Sequence, residues 1–122
     1  MINDMISETL SDLKKAQLQN GFNQYQIAAV QTAVYDEPLY PICSLMVEAG
    51  ELADLFVKPW LRGDKTDIDR KEVVSEAGDV LWNLANLLAQ EGITLQEVAD
   101  YNLNKLYDRR ERGVIKGSGG NR

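Results

Sequence analysis

The chain has 122 residues, of which 44% are hydrophobic and 26% charged, and a net charge of −6; this is the composition of one ordinary globular domain and excludes a disordered tail or a fibrous repeat. It holds no histidine and one cysteine, Cys43, which excludes histidine-based zinc sites, Ser-His-Asp triads, Cys-His nucleophile pairs and an intramolecular disulfide. No run of 18 apolar residues is present, and Asp4, Glu8 and Asp12 stand where a secretory leader is basic and then apolar, so the expected location is the cytoplasm, with no membrane partner.

Apolar residues recur at three- and four-residue spacing without strand-like alternation, so the expected fold is all-α, an antiparallel bundle of about five helices. The first covers residues 2–19 (Ile2, Met5, Ile6, Leu10, Leu13, Ala16) and stops at Asn20-Gly21; the second covers 22–35, before Asp36-Glu37-Pro38. A third runs from Tyr40 to Lys58 and ends at Pro59, leaving Trp60 to Thr66 as a loop whose exposed Trp60 is a candidate to stack on a ligand base. A fourth starts near Asp67 and runs to Glu91, with Gly92 as its stop. Thr94-Leu95-Gln96-Glu97 has the Thr-x-x-Glu form of a capping box and opens a fifth helix that runs to Arg112. Residues 1–112 thus read as one domain and 113–122 as a Gly-rich basic tail. A small helical chain of this size commonly adds buried surface by self-association.

One tetrapeptide nearly repeats: Glu48-Ala49-Gly50-Glu51 in the third helix and Glu76-Ala77-Gly78-Asp79 in the fourth. Acids at i, i+3 lie about 4.5 Å apart along a helix axis and about 60° apart around it, so each pair points into one region. Glu48 falls at the shoulder of the apolar arc Ile42, Leu45, Met46, Ala49, Leu52, Ala53, Phe56. In the fourth helix Glu72, Glu76, Asp79, Asn83 and Asn86 form a polar stripe bordering Val73, Val80, Leu84, Leu87 and Leu88. A single such pair is usually a solvated helix face. Two copies at the edges of adjacent apolar arcs are harder to explain that way, because unit charges about 5 Å apart at an effective dielectric near 20 repel by roughly 3 kcal/mol. A cation relieves that repulsion, and all-oxygen ligation points to Mg²⁺, with Mn²⁺ as a substitute. Di-iron bundles are excluded, since their Glu-x-x-His elements need histidine. Gly50 and Gly78 each cost a helix about 1 kcal/mol relative to Ala, which close approach of a helix or ligand would justify.

Charge is unevenly placed: residues 1–108 carry 8 basic and 18 acidic side chains, residues 109–122 carry 5 and 1. The acidic body repels duplex nucleic acid, so none is expected as a partner. In the fifth helix Asn102, Lys105 and Arg109 share a face at i, i+3, i+7, with Arg112 completing the turn. Cations at a helix C-terminus also simply oppose its dipole; beside bound metal they would hold phosphate.

These elements in this order resemble the MazG-like all-α nucleoside triphosphate pyrophosphohydrolases. The resemblance rests on Glu-x-x-Glu at 48–51, Glu-Ala-Gly-Asp-Val-Leu-Trp at 76–82 and Gly-Ile-Thr-Leu-Gln-Glu-Val-Ala-Asp-Tyr-Asn-Leu-Asn-Lys-Leu at 92–106, and covers about residues 22–122. It implies metal-dependent cleavage of a nucleoside triphosphate to monophosphate and pyrophosphate, a nucleotide-pool-cleaning role, with Glu48, Glu51, Glu76 and Asp79 holding Mg²⁺. Glu51 would also orient or deprotonate the attacking water, and Asn102, Lys105, Arg109 and Arg112 would hold phosphates. It further implies a dimer or a dimer of dimers. Asn83 stands where relatives with a deoxynucleotide preference carry Tyr near the sugar, which makes it the candidate sugar or base contact beside Trp60. The competing reading is a catalytically weak helical module that binds nucleotides or a partner protein as a regulator.

Overall fold

A computed structural model describes residues 21–114. Among them are four α-helices and no strand: α1 (Gly21–Gln31), α2 (Tyr40–Leu61), α3 (Arg70–Gln90) and α4 (Leu95–Glu111). The expected helix over 2–19 and the tail beyond Val114 lie outside the described residues.

Local chemistry sets most helix ends. Pro41 sits in the first turn of α2, where its missing N–H leaves nothing unsatisfied. The Asp69 carboxylate accepts from the N–H groups of Lys71 (3.0 Å) and Glu72 (3.2 Å), so α3 begins at Arg70 and not at Asp67. The Thr94 hydroxyl accepts from the Glu97 N–H at 3.0 Å, as the capping-box spacing predicts, and opens α4. Gly92 ends α3 in the left-handed region, φ 68°. Its N–H donates to the Ala89 carbonyl and that of Ile93 to Leu88, a Schellman closure.

Two further ends depart from expectation. α1 stops at Gln31 rather than 35 because Thr32 turns its hydroxyl onto the Ala29 carbonyl (2.7 Å) and accepts the indole N–H of Trp82 (2.8 Å). α2 continues through Pro59 to Leu61, which places Trp60 in the helix and not in a loop. Pro59 cannot donate to the Leu55 carbonyl. Its ring is buried, however, and the Arg62 N–H still reaches the Lys58 carbonyl at 3.1 Å, so packing carries the helix past the break.

α2 and α3 pack as an antiparallel hairpin; α1 lies against α3, and α4 against α1. The core is small: Ile27, Ala29, Val30, Ala85, Ala89 and Leu95. At its centre the fully buried Gln26 donates from Nε2 to the carbonyls of Ala85 (3.1 Å) and Ile93 (3.0 Å), while its Oε1 accepts the Leu95 N–H (3.0 Å). One amide thus ties α1 to α3 and to the start of α4. Tyr35 stacks on Tyr40 and meets Trp82 edge-on, and its hydroxyl donates to Gln90 Oε1 at 2.7 Å. This anchors the segment between α1 and α2, and Trp82 is spent on packing within the chain.

The apolar arc of α2 is only partly covered. Leu45 and Leu52 are partly buried, whereas Ile42, Met46, Ala49, Ala53 and Phe56 are exposed among the described residues. With Trp60 they recur at alternating four- and three-residue spacing along the whole helix, the period of a helix–helix seam.

Candidate metal centre

The hairpin brings the two acidic motifs together. Glu48, Glu76 and Asp79 each place a carboxylate oxygen within 4.8 Å of the others. Glu48 is partly buried, as its place on the shoulder of the arc predicts. Glu51, one turn on, is exposed and shares with Glu76 a cavity of about 420 Å³ that opens toward the turn between α2 and α3.

Mutual repulsion is visible in the protonation of the cluster. The Glu48 carboxyl is pushed up to about 7, first by a hydrogen bond with Glu76, then by burial, then by the charges of Glu51, Glu76 and Asp79. Glu76 Oε2 is buried without a hydrogen-bond partner among the described residues. Hard oxygen donors that converge, share a proton and leave an oxygen unsatisfied fit a divalent cation such as Mg²⁺.

α1 also feels the cluster. Burial, and then the negative charge of Asp79, hold the Tyr25 phenol above the usual tyrosine value. The sequence offers Tyr25 only as one aromatic ring among several, because its approach to Asp79 depends on how α1 crosses α3.

The polar stripe of α3 does not stay at the border of the core. Glu72 and Asp79 are exposed, but Asn83 and Asn86 are buried where α1 covers the helix. Their Nδ2 groups donate to the carbonyls one turn back, Asp79 (2.8 Å) and Trp82 (3.0 Å). Their Oδ1 atoms have no hydrogen-bond partner among the described residues. Nor do Gly50 and Gly78 mark a close helix approach among the described residues: a Cβ at either would meet nothing within 4 Å there.

The cationic residues divide between two places. Asn102 and Lys105 of α4 line a cavity of about 410 Å³ with Glu97, Val98 and Tyr101, while Arg109 is buried and Arg112 pairs with Asp108 at 2.9 Å. The cations that share a cavity with the acids are Lys58 of α2 and Arg62 at its C-cap, neither of which the sequence reading names as a phosphate ligand. The signal was present: residues 51, 55, 58 and 62 recur at four- and three-residue steps, one stripe of a helix. Trp60 lies about 180° around α2 from Glu51, its ring covered by the Lys65 ammonium at 4.0 Å.

The profile of the MazG family, described as the MazG nucleotide pyrophosphohydrolase domain, matches residues 40–114, from the start of α2 to the end of α4. The chain is 44% identical over 110 residues to the "Gene 37 protein" of Mycobacterium phage L5, an alignment that covers 80% of this chain and 96% of that relative. No solved structure matches. No helix among the described residues is long and apolar enough to cross a membrane.

Proposed function

The chain belongs to the MazG nucleotide pyrophosphohydrolase family, and from that membership we propose that it cleaves a nucleoside triphosphate by water attack between the α and β phosphates, releasing a nucleoside monophosphate and pyrophosphate. The observation that carries this reading is the convergence of Glu48, Glu76 and Asp79 within 4.8 Å. A concentration of negative charge at a helix–helix edge serves no packing purpose, whereas a metal–triphosphate complex relieves it.

Glu48, Glu51, Glu76 and Asp79 would hold Mg²⁺, with Mn²⁺ as a substitute; such ions, when bound, lower the pKa of water and neutralise charge on the leaving phosphates. Glu51, the most exposed glutamate of the cluster, orients the attacking water and accepts its proton. Glu48 gives up the proton it shares with Glu76 when the site loads. Asn102, Lys105 and Arg109 of α4 and Arg112 at its C-cap would contact phosphate oxygens through charge-assisted hydrogen bonds, which Arg109 does only on leaving its buried place and Arg112 on leaving Asp108. Asn83 is the candidate sugar or base contact, and because its Oδ1 is buried under α1 it meets a ligand only if α1 shifts. Trp60, on the far side of α2, reaches a nucleotide only in a second subunit. The exposed seam of α2 supports that arrangement, a dimer or dimer of dimers of this chain. The physiological role we propose is the removal of surplus or non-standard nucleotides within the cytoplasm.

Pyrophosphate release from a panel of canonical and modified nucleoside triphosphates, with Mg²⁺, with Mn²⁺ and with chelator, tests the reading. Metal-dependent release from one or a few substrates is expected. Metal and nucleotide binding without any release would replace it with the regulatory reading.

A further inference from the structure

The cavity beside the acids also holds cations. Lys58 and Arg62 line it together with Glu51 and Glu76, and with Asp54, Asp67, Asp69 and Glu72. Lys58 and Arg62 lie about 10 and 16 Å beyond Glu51 along the α2 axis and within about 20° of it around the axis, so one stripe of one helix runs from acid to base. The opposite wall does not supply the positive end. The first amides of α3 are taken by the Asp69 carboxylate, which leaves the two side chains as the anion-binding groups. Their present partners are weak ones: Lys58 meets Asp54 at 3.6 Å and Arg62 meets Asp67 at 3.1 Å, all four side chains more than half exposed. Exposed ion pairs of this kind contribute little and are readily exchanged for a doubly charged phosphate, which a guanidinium can engage with two bonds.

We propose that Lys58 and Arg62 form the subsite for the terminal phosphates of the triphosphate, the part that leaves as pyrophosphate, so that the phosphate chain runs from the acids toward the turn between α2 and α3. This rests on the pyrophosphohydrolase reading. A cavity of about 420 Å³ accommodates such a group. Because Asp54, Asp67 and Glu72 also line it, a bare anion is repelled and the phosphates enter as their metal complex.

The test is calorimetric titration of the full chain with pyrophosphate, and separately with a nucleoside monophosphate, each with Mg²⁺ and with chelator. The variants are Lys58→Gln with Arg62→Gln, and Asp54→Asn with Asp67→Asn. Both pairs alter exposed side chains, and unchanged melting temperatures verify the fold. The expected result is metal-dependent pyrophosphate binding, weakened at least about tenfold by the glutamine pair, with the monophosphate affected less than about twofold. The asparagine pair, which frees the two cations, tightens pyrophosphate. Pyrophosphate affinity unchanged by the glutamine pair, equal weakening of both ligands, or no pyrophosphate binding by the wild type overturns the subsite. Turnover of triphosphates by the wild type separates the two readings. Turnover with pyrophosphate affinity indifferent to Lys58 and Arg62 removes the subsite and keeps the reaction. Pyrophosphate binding that depends on both residues without any turnover keeps the anion subsite and removes the reaction.

Discussion

Glu48 on α2 and Glu76 on α3 face one another across the hairpin with carboxylate oxygens within 4.8 Å, and hydrogen bonding to Glu76 is the first cause of the Glu48 carboxyl's rise to about 7. In the unfolded chain the same carboxyl ionises near 4.5. The native state therefore holds the proton more tightly, and the stability this confers is complete below about 4.5 and lost as the pH rises through about 7. Metal ligation needs the carboxylates bare, so protons and Mg²⁺ compete. The rise in melting temperature produced by Mg²⁺ is expected to be small near about pH 5.5 and larger near about pH 8. A Mg²⁺ effect equal at both would show that this proton is not displaced by the ion.

Glu51 is exposed and contributes nothing to the core. Glu51→Gln is accordingly expected to leave the melting temperature of the metal-free protein unchanged or slightly raised, while lowering the rate of pyrophosphate release by about a hundredfold or more. Undiminished release by this variant would remove Glu51 from the reaction.

Gly50 and Gly78 are interior helix residues with open space around a built Cβ. Within a single chain, Gly50→Ala and Gly78→Ala are each expected to stabilise by up to about 1 kcal/mol in urea unfolding. Stabilisation accompanied by lost turnover would show that the glycine leaves room for substrate. Stabilisation of the chain with loss of self-association would show instead that it leaves room for a second subunit.

Gln26 satisfies two carbonyls and one N–H in the interior. Gln26→Met keeps the length of the side chain and orphans these groups, which is expected to cost about 2–4 kcal/mol, read from urea unfolding. A loss well under about 1 kcal/mol would mean that water enters and replaces the amide.

The seam on α2 leaves Met46 71% and Phe56 39% exposed. Met46→Glu combined with Phe56→Glu is expected to convert an associated wild type into monomers by sedimentation equilibrium, with the helix content of each chain retained. A wild type that sediments as a monomer would show that the seam is not used by a second copy.

The helical class, the start of α2 at Tyr40, the stop of α3 at Gly92 and the cap of α4 at Thr94 are legible in the chain, because each depends on residues within a turn of one another. The place of each acidic pair on one helix face is legible too, since i, i+3 geometry is local. Tertiary structure alone decided the rest. The burial of the Pro59 ring carried α2 past a residue that ends helices locally, and put Trp60 on the face away from the acids. The crossing of α1 over α3 buried Asn83 and Asn86, which helical periodicity assigned to the border of the core, and it brought Tyr25 toward Asp79. The register of the α2–α3 hairpin set Glu48 against Glu76 and gathered Lys58 and Arg62 into the cavity of Glu51. Periodicity tells which residues share a face; which faces meet depends on the summed burial of helices distant in sequence, and no local pattern encodes that sum.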